Sequence, residues 1–221
     1  MFLSAIAFFA MNPVGKLDKP GWHAKASYKL RFGNQPLGSS TLEKSLGGDG
    51  SLTIRSIVKL TRDGRTNVTD EYSFYDSTGR LAKYVYKVPM TDGSMRVTTK
   101  QYSKTSCTIS VQEGGKTRKE VLQIPKGATA VNPSVFWFIR TTPRPGAKVT
   151  VYAVDDNRFR WNQKPVTYVG PAQAVIGNKK YPGHLVIMPS GSKYILDGKG
   201  MPITMAIGKG GDVIYERQGL K

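Results

Sequence analysis

The sequence predicts a mainly β fold: an antiparallel sheet that curves into a half-barrel or partly closed barrel, with one short helix packed on it. Three observations carry this expectation. Apolar and polar residues alternate with period two in short runs along nearly the whole chain. Turn residues, among 24 glycines and 13 prolines, separate those runs at close to the regular spacing of a meander. No long segment carries the 3.6-residue apolar period of a helix.

In chain order, Met1–Met11 (MFLSAIAFFAM) is apolar and uncharged. It is too short to span a bilayer as a helix and resembles the apolar region of a secretory signal, with Ala7 and Ala10 as the small residues found near cleavage sites. The positive leader residues are missing, which fits a start placed further upstream; the alternative is a buried strand or helix. Residues 1–24 are accordingly read as signal remnant and linker, and 25–221 as one β-rich domain in an exported, periplasmic or cell-envelope protein. In the first strand, Ala26–Phe32, Tyr28, Leu30 and Phe32 face one way and Lys29 and Arg31 the other. Strands are expected next at Ser39–Ser45, Ser51–Leu60, Thr66–Tyr75, Arg80–Val88, Ser94–Tyr102, Lys104–Gln112 and Lys116–Ile124. Arg62-Asp-Gly64 and Asp76-Ser-Thr-Gly79 are among their turns. In the fifth run, Ala82, Tyr84, Tyr86 and Val88 share a face away from Lys83 and Lys87. Cys107 shares one with Ile109 and Val111, as a buried structural cysteine would.

The run is interrupted by Asn132–Arg140, which holds the densest aromatic cluster of the chain: Phe136, Trp137 and Phe138 in succession. Asn132 is a good N-cap, Pro133 suits the first helical position, and Val135, Phe138 and Ile139 recur at i, i+3 and i+4. Pro143 and Pro145-Gly146 end the segment. A helix over Pro133–Arg140, set against the open side of the sheet, is expected. Its aromatics are read either as core or as the lining of an apolar pocket. Strands then resume at Ala147–Val154, Arg160–Val169, Gln173–Ile176, Tyr181–Met188, Lys193–Leu196, Pro202–Ile207 and Asp212–Arg217, with no convincing internal repeat.

Charge limits the partners. The 33 Lys and Arg against 15 Asp and Glu give +18, which favours anionic partners, yet the basic residues are dispersed over strands and turns. Residues for chemistry are scarce. One cysteine excludes an intramolecular disulfide framework, and two histidines, His23 and His184, offer no ligand cluster. Ser56–Lys59 and Ser190–Lys193 have the spacing of a serine–lysine pair but fall in a strand and a glycine turn. Gly208-Lys-Gly-Gly lacks phosphate-loop spacing. Asp155-Asp156 reads as turn chemistry. Arg80–Lys87 is the best stretch for single-stranded nucleic acid, but its tyrosines sit with the core residues rather than with the lysines, so nucleic acid is disfavoured. No enzyme activity and no metal or other cofactor is expected.

Three segments, Tyr28-Lys-Leu-Arg-Phe-Gly-Asn-Gln-Pro-Leu-Gly38, Phe136-Trp-Phe-Ile-Arg140 before Pro143-Arg-Pro-Gly146, and Asp197-Gly-Lys-Gly-Met-Pro-Ile203, resemble a family of exported bacterial β-rich proteins of unknown function. There is a looser similarity to half-barrels that carry lipoproteins or lipids across the periplasm. The resemblance implies an exported sheet or half-barrel and supplies no catalytic residue. The function expected is non-enzymatic binding of an apolar or lipid-like ligand in the cell envelope, between the helix and the sheet. Phe136, Trp137, Phe138 and Tyr84 would contact it, and Arg140 would meet its headgroup. The alternative is a basic structural or interaction module that docks on anionic envelope polymers or another protein.

Overall fold

The structure, a computed structural model, describes residues 21–62, 64–126, 143–188, 190–208 and 210–220. Every regular element among them is a strand. A first meander comprises β1 (His23–Phe32), β2 (Gln35–Leu46), β3 (Leu52–Arg62), β4 (Arg65–Tyr75), β5 (Leu81–Pro89), β6 (Met95–Tyr102), β7 (Ser106–Glu113) and β8 (Lys116–Gln123). A second comprises β9 (Lys148–Asp155), β10 (Arg160–Ile176), β11 (Lys179–Ile187), β12 (Lys193–Leu196), β13 (Pro202–Ile207) and β14 (Val213–Arg217). The expected helix at Pro133–Arg140 lies outside the described residues, as does Met1–Met11.

The two meanders form one 14-stranded antiparallel sheet in the order β8-β7-β6-β5-β4-β3-β2-β1-β14-β13-β12-β11-β10-β9. Sequence neighbours pair within each meander, and the junction between the two is β1 with β14, from Tyr28 opposite Arg217 to Phe32 opposite Val213. The first and last strands therefore form the middle of the sheet, and β8 and β9, consecutive in the chain, form its two ends.

Those ends meet through side chains rather than a backbone ladder. The Trp161 indole N–H donates to the Gln123 carbonyl at 2.8 Å, and Arg96 donates to the Asn157 side-chain oxygen at 2.8 Å. The Arg118 guanidinium lies 4.6 Å from the centre of the Phe159 ring. Cys107, Ile109 and Val111 of β7 bury themselves against Val154 of β9, with Phe159 and Trp161 packed around them. The half-barrel expectation thus holds as a large curved sheet whose ends form no backbone ladder with each other among the described residues.

Alternation explains which face is inside. In β1, Ala26, Tyr28 and Leu30 are buried while Lys25, Ser27 and Lys29 are exposed. Cys107, Ile109 and Val111 repeat the pattern in β7, as their spacing predicts. Five turns are built by one device, an aspartate carboxylate that accepts the backbone N–H two residues on, at Asp49, Asp76, Asp92, Asp155 and Asp197. Gly38 meets a different demand. It sits with φ +150 where β2 bulges against β1, and a Cβ there would come 1.9 Å from the Lys59 carbonyl oxygen.

One expectation is corrected. Arg160–Val169 and Gln173–Ile176 are not two strands but the single 17-residue β10. Val169-Gly170-Pro171 has the composition of a break, yet the chain bulges there between Tyr168 and Gly170 and continues. β10 changes partner as it goes: residues 160–167 pair with β9 and residues 167–176 with β11. Pro171 is tolerated because β9 has already ended beside it.

Candidate functional site

Curling brings the walls β2–β4 and β11–β13 face to face. Between them lies a cleft of about 240 Å³, open to solvent and lined on one wall by Leu42, Lys44, Ile54 and Glu71. The opposite wall supplies Val186, Leu196 and Met205. Strand register sets the first wall. One inward row runs Lys44–Ile54–Ser73–Tyr84–Lys100 across β2 to β6, and the next runs Leu42–Ser56–Glu71–Tyr86–Thr98. Apolar and polar side chains are therefore interleaved on one surface, giving a strip of hydrocarbon edged by hydroxyls and three ionisable groups.

Lys44 is the most unusual of these. It is 5% exposed. Its ammonium donates to the Gly200 carbonyl at 2.6 Å. Burial pulls its pKa down to about 8, only partly opposed by the negative charge of Asp197. That aspartate is itself engaged, receiving the Arg217 guanidinium at 2.7 Å and the backbone N–H groups of Lys199 and Met201.

Glu71 has the opposite shift. Burial raises its carboxyl above the usual range, although the hydrogen bond with Tyr84 and the charge of Lys100 both favour the ionised form. Burial likewise lifts the phenols of Tyr84 and Tyr75, and it takes that of Tyr194 to about 12, so all three stay neutral at ordinary pH. Lys100 is better compensated than Lys44. It lies 2.5 Å from the Asp156 carboxylate, donates to the Val154 carbonyl at 3.3 Å, and stands 4.8 Å from the centre of the Tyr84 ring.

Of the residues singled out in the sequence, Tyr84 is placed on the concave wall, and it reaches the cleft through Glu71 rather than by lining it. Phe136, Trp137, Phe138 and Arg140 lie outside the described residues. Cys107 is fully buried and burial pushes its thiol up to about 11, the reverse of an activated nucleophile. His184 stands 3.0 Å from the Tyr168 hydroxyl. Asp155 does cap its turn, but the pair is split, because Asp156 turns inward to Lys100. Among the described residues no group of three or more His, Cys, Asp or Glu could hold a metal ion.

Lys44, Glu71 and Lys100 match no motif, yet the sequence carries a signal for them. Each stands at a position that alternation assigns to the interior: Lys44 between Leu42 and Leu46, Glu71 two residues before Ser73 and four before Tyr75, and Lys100 between Thr98 and Tyr102. A charge in phase with the core is rare enough to mark.

The outer face is basic and mostly solvated. Lys25 pairs with Glu43 at 2.6 Å and Arg55 with Asp70 at 2.9 Å, and the hydrogen bonds they donate hold both carboxyls below the usual range. Lys29, Lys59, Lys83 and Lys87 are exposed around them.

No family model and no curated protein matches the chain. Its fold is similar to that of a β-barrel-like protein from Brucella abortus, a domain of unknown function designated DUF1849. That crystal structure superposes with a TM-score of 0.57 at 12% identity, over 92% of this chain and 98% of the other. A DUF1089 family protein from Pseudomonas aeruginosa gives a TM-score of 0.38 at 15% identity, over 84% of this chain and 89% of the other, too low to add to the assignment. The chain thus has the β-barrel-like fold of a domain of unknown function, and the first likeness spans almost the full length of both proteins.

Proposed function

We propose that the protein is a non-catalytic binding module of the cell envelope, and that the cleft inside the curled sheet holds one small amphiphilic or lipid-like molecule. The cleft carries the reading: an apolar strip of Leu42, Ile54, Val186, Leu196 and Met205 edged by Lys44 and Glu71. Ligand sites commonly combine mostly apolar walls with a few placed polar groups. A volume of about 240 Å³ is enough to hold one short chain. The envelope assignment is supported by the charge-free apolar stretch Met1–Met11 and by the basic outer face.

Native mass spectrometry of the protein purified from its own cells tests this. A one-to-one adduct lost on denaturation, or formed on incubation with octanoate or octan-1-ol, is expected. A bare mass under all of these conditions would remove the proposal.

The net charge of +18 favours a second reading, docking on an anionic polymer through the outer face. Such binding should vanish at high salt, whereas occupancy of the apolar cleft should change little.

A further inference from the structure

We infer that the molecule held in the cleft is a monoanionic amphiphile, with a carboxylate head that meets the Lys44 ammonium and an apolar chain along Leu42, Ile54 and Met205. The inference rests on the binding function proposed above and specifies its ligand class.

Lys44 lines the cleft, and the Gly200 carbonyl is its one hydrogen-bond partner among the described residues. An ammonium has three N–H donors, so two are left for a guest. Among the described residues no carboxylate forms an ion pair with it. Asp197, the carboxylate that acts on it, is held by Arg217, and those two charges offset one another. Glu43, adjacent in sequence, faces outward to Lys25. Glu71, the acid that shares the cleft, is driven by burial toward its neutral form. Lys44 thus brings a positive charge into a largely desolvated position, where a buried ion is costly unless paired and hydrogen-bonded.

One positive charge without an ion-pair partner among the described residues selects a guest with one negative charge. A phosphate monoester, nearly a dianion at neutral pH, would bring a second negative charge with no further unpaired cation lining the cleft among the described residues to receive it. A fatty alcohol would fill the apolar strip but leave Lys44 uncompensated. A carboxylate satisfies the charge and presents lone pairs to the two free N–H groups. Burial keeps that pairing from being screened as a surface ion pair would be.

Titrations with octanoate, octan-1-ol and octyl phosphate at pH 7, against the wild-type protein and Lys44→Met and Lys44→Gln variants, test the inference. Octanoate should bind the wild type at least about tenfold more tightly than octan-1-ol, the ratio for one charge-assisted hydrogen bond. The preference for octanoate over octan-1-ol should disappear in both variants. Equal binding of octanoate and octan-1-ol to the wild type would overturn the inference and leave the binding function standing. Tighter binding of octyl phosphate than octanoate would overturn the monoanionic class. Binding of none of the three would overturn both the inference and the function on which it rests.

Discussion

Replacing Lys44 by methionine is expected to stabilise the protein by about 1–2 kcal/mol at pH 7, against the usual outcome for a substitution at a buried site. The pKa falls from the ordinary 10.5 to about 8. At about 1.4 kcal/mol per unit, that burial costs the folded state roughly 3 kcal/mol relative to a solvated lysine. Methionine removes that cost, fills a similar volume and leaves the buried Gly200 carbonyl without its donor, which costs about 1–2 kcal/mol.

The pH dependence follows from linkage. Below pH 8 Lys44 is protonated in both the folded and unfolded chains, and the whole penalty is present. Between about 8 and 10.5 the folded protein has released a proton that the unfolded chain still holds, so wild-type stability rises with pH across this window relative to the variant. Urea unfolding of both proteins at pH 7 and pH 10 should show the advantage of methionine shrinking at the higher pH. A variant that is less stable at pH 7, or a gap independent of pH, would mean that Lys44 is compensated inside the fold. Stability given up at one buried position is what a binding site set into a core would show.

Ile109→Ala should have the larger effect, a loss of about 2–4 kcal/mol, because the side chain is fully buried and its removal leaves a cavity that its neighbours close only partly. Ile109 belongs to the cluster that joins β7 to Val154, Phe159 and Trp161, where the two ends of the sheet meet without a ladder. Side-chain packing does at this seam what backbone hydrogen bonds do everywhere else in the sheet. In a background with Trp22 and Trp137 replaced by phenylalanine, the loss should therefore be accompanied by a red shift of Trp161 emission before global unfolding, as the seam loosens ahead of the paired strands. A cost below about 1 kcal/mol with unchanged fluorescence would show that the seam is not structural. A solvent-facing control such as Lys83→Ala should stay within about 0.5 kcal/mol.

Much of this architecture was legible because local rules decided it. Alternation placed Tyr28, Leu30, Cys107 and Ile109 inside, and aspartate turns marked where strands reverse. What local rules did not supply was the pairing of β1 with β14, the merger of two expected strands into β10, and the meeting of the sheet ends. Each depends on which distant segment a strand faces. Gly170-Pro171 has the composition of a turn, and only the exchange of β9 for β11 as neighbour makes it a bulge.

The site was less legible than the fold. Attention to aromatics singled out Tyr84, which stands one contact away from the cleft. Lys44 and Glu71 passed as ordinary members of polar strands. Their significance lies in phase: on the outer face they would resemble Lys29 or Glu43, whereas on the inner face burial shifts the pKa of both.

Photo-crosslinking with an octanoic acid that carries a diazirine in its chain tests most directly whether the interior of the curled sheet is the binding site. Labelling confined to peptides of the facing walls, at Leu42, Ile54, Val186 or Met205, and suppressed by excess octanoate, is expected. Labelling spread over the outward-facing residues of β1 to β5, or labelling that excess octanoate leaves unchanged, would contradict it.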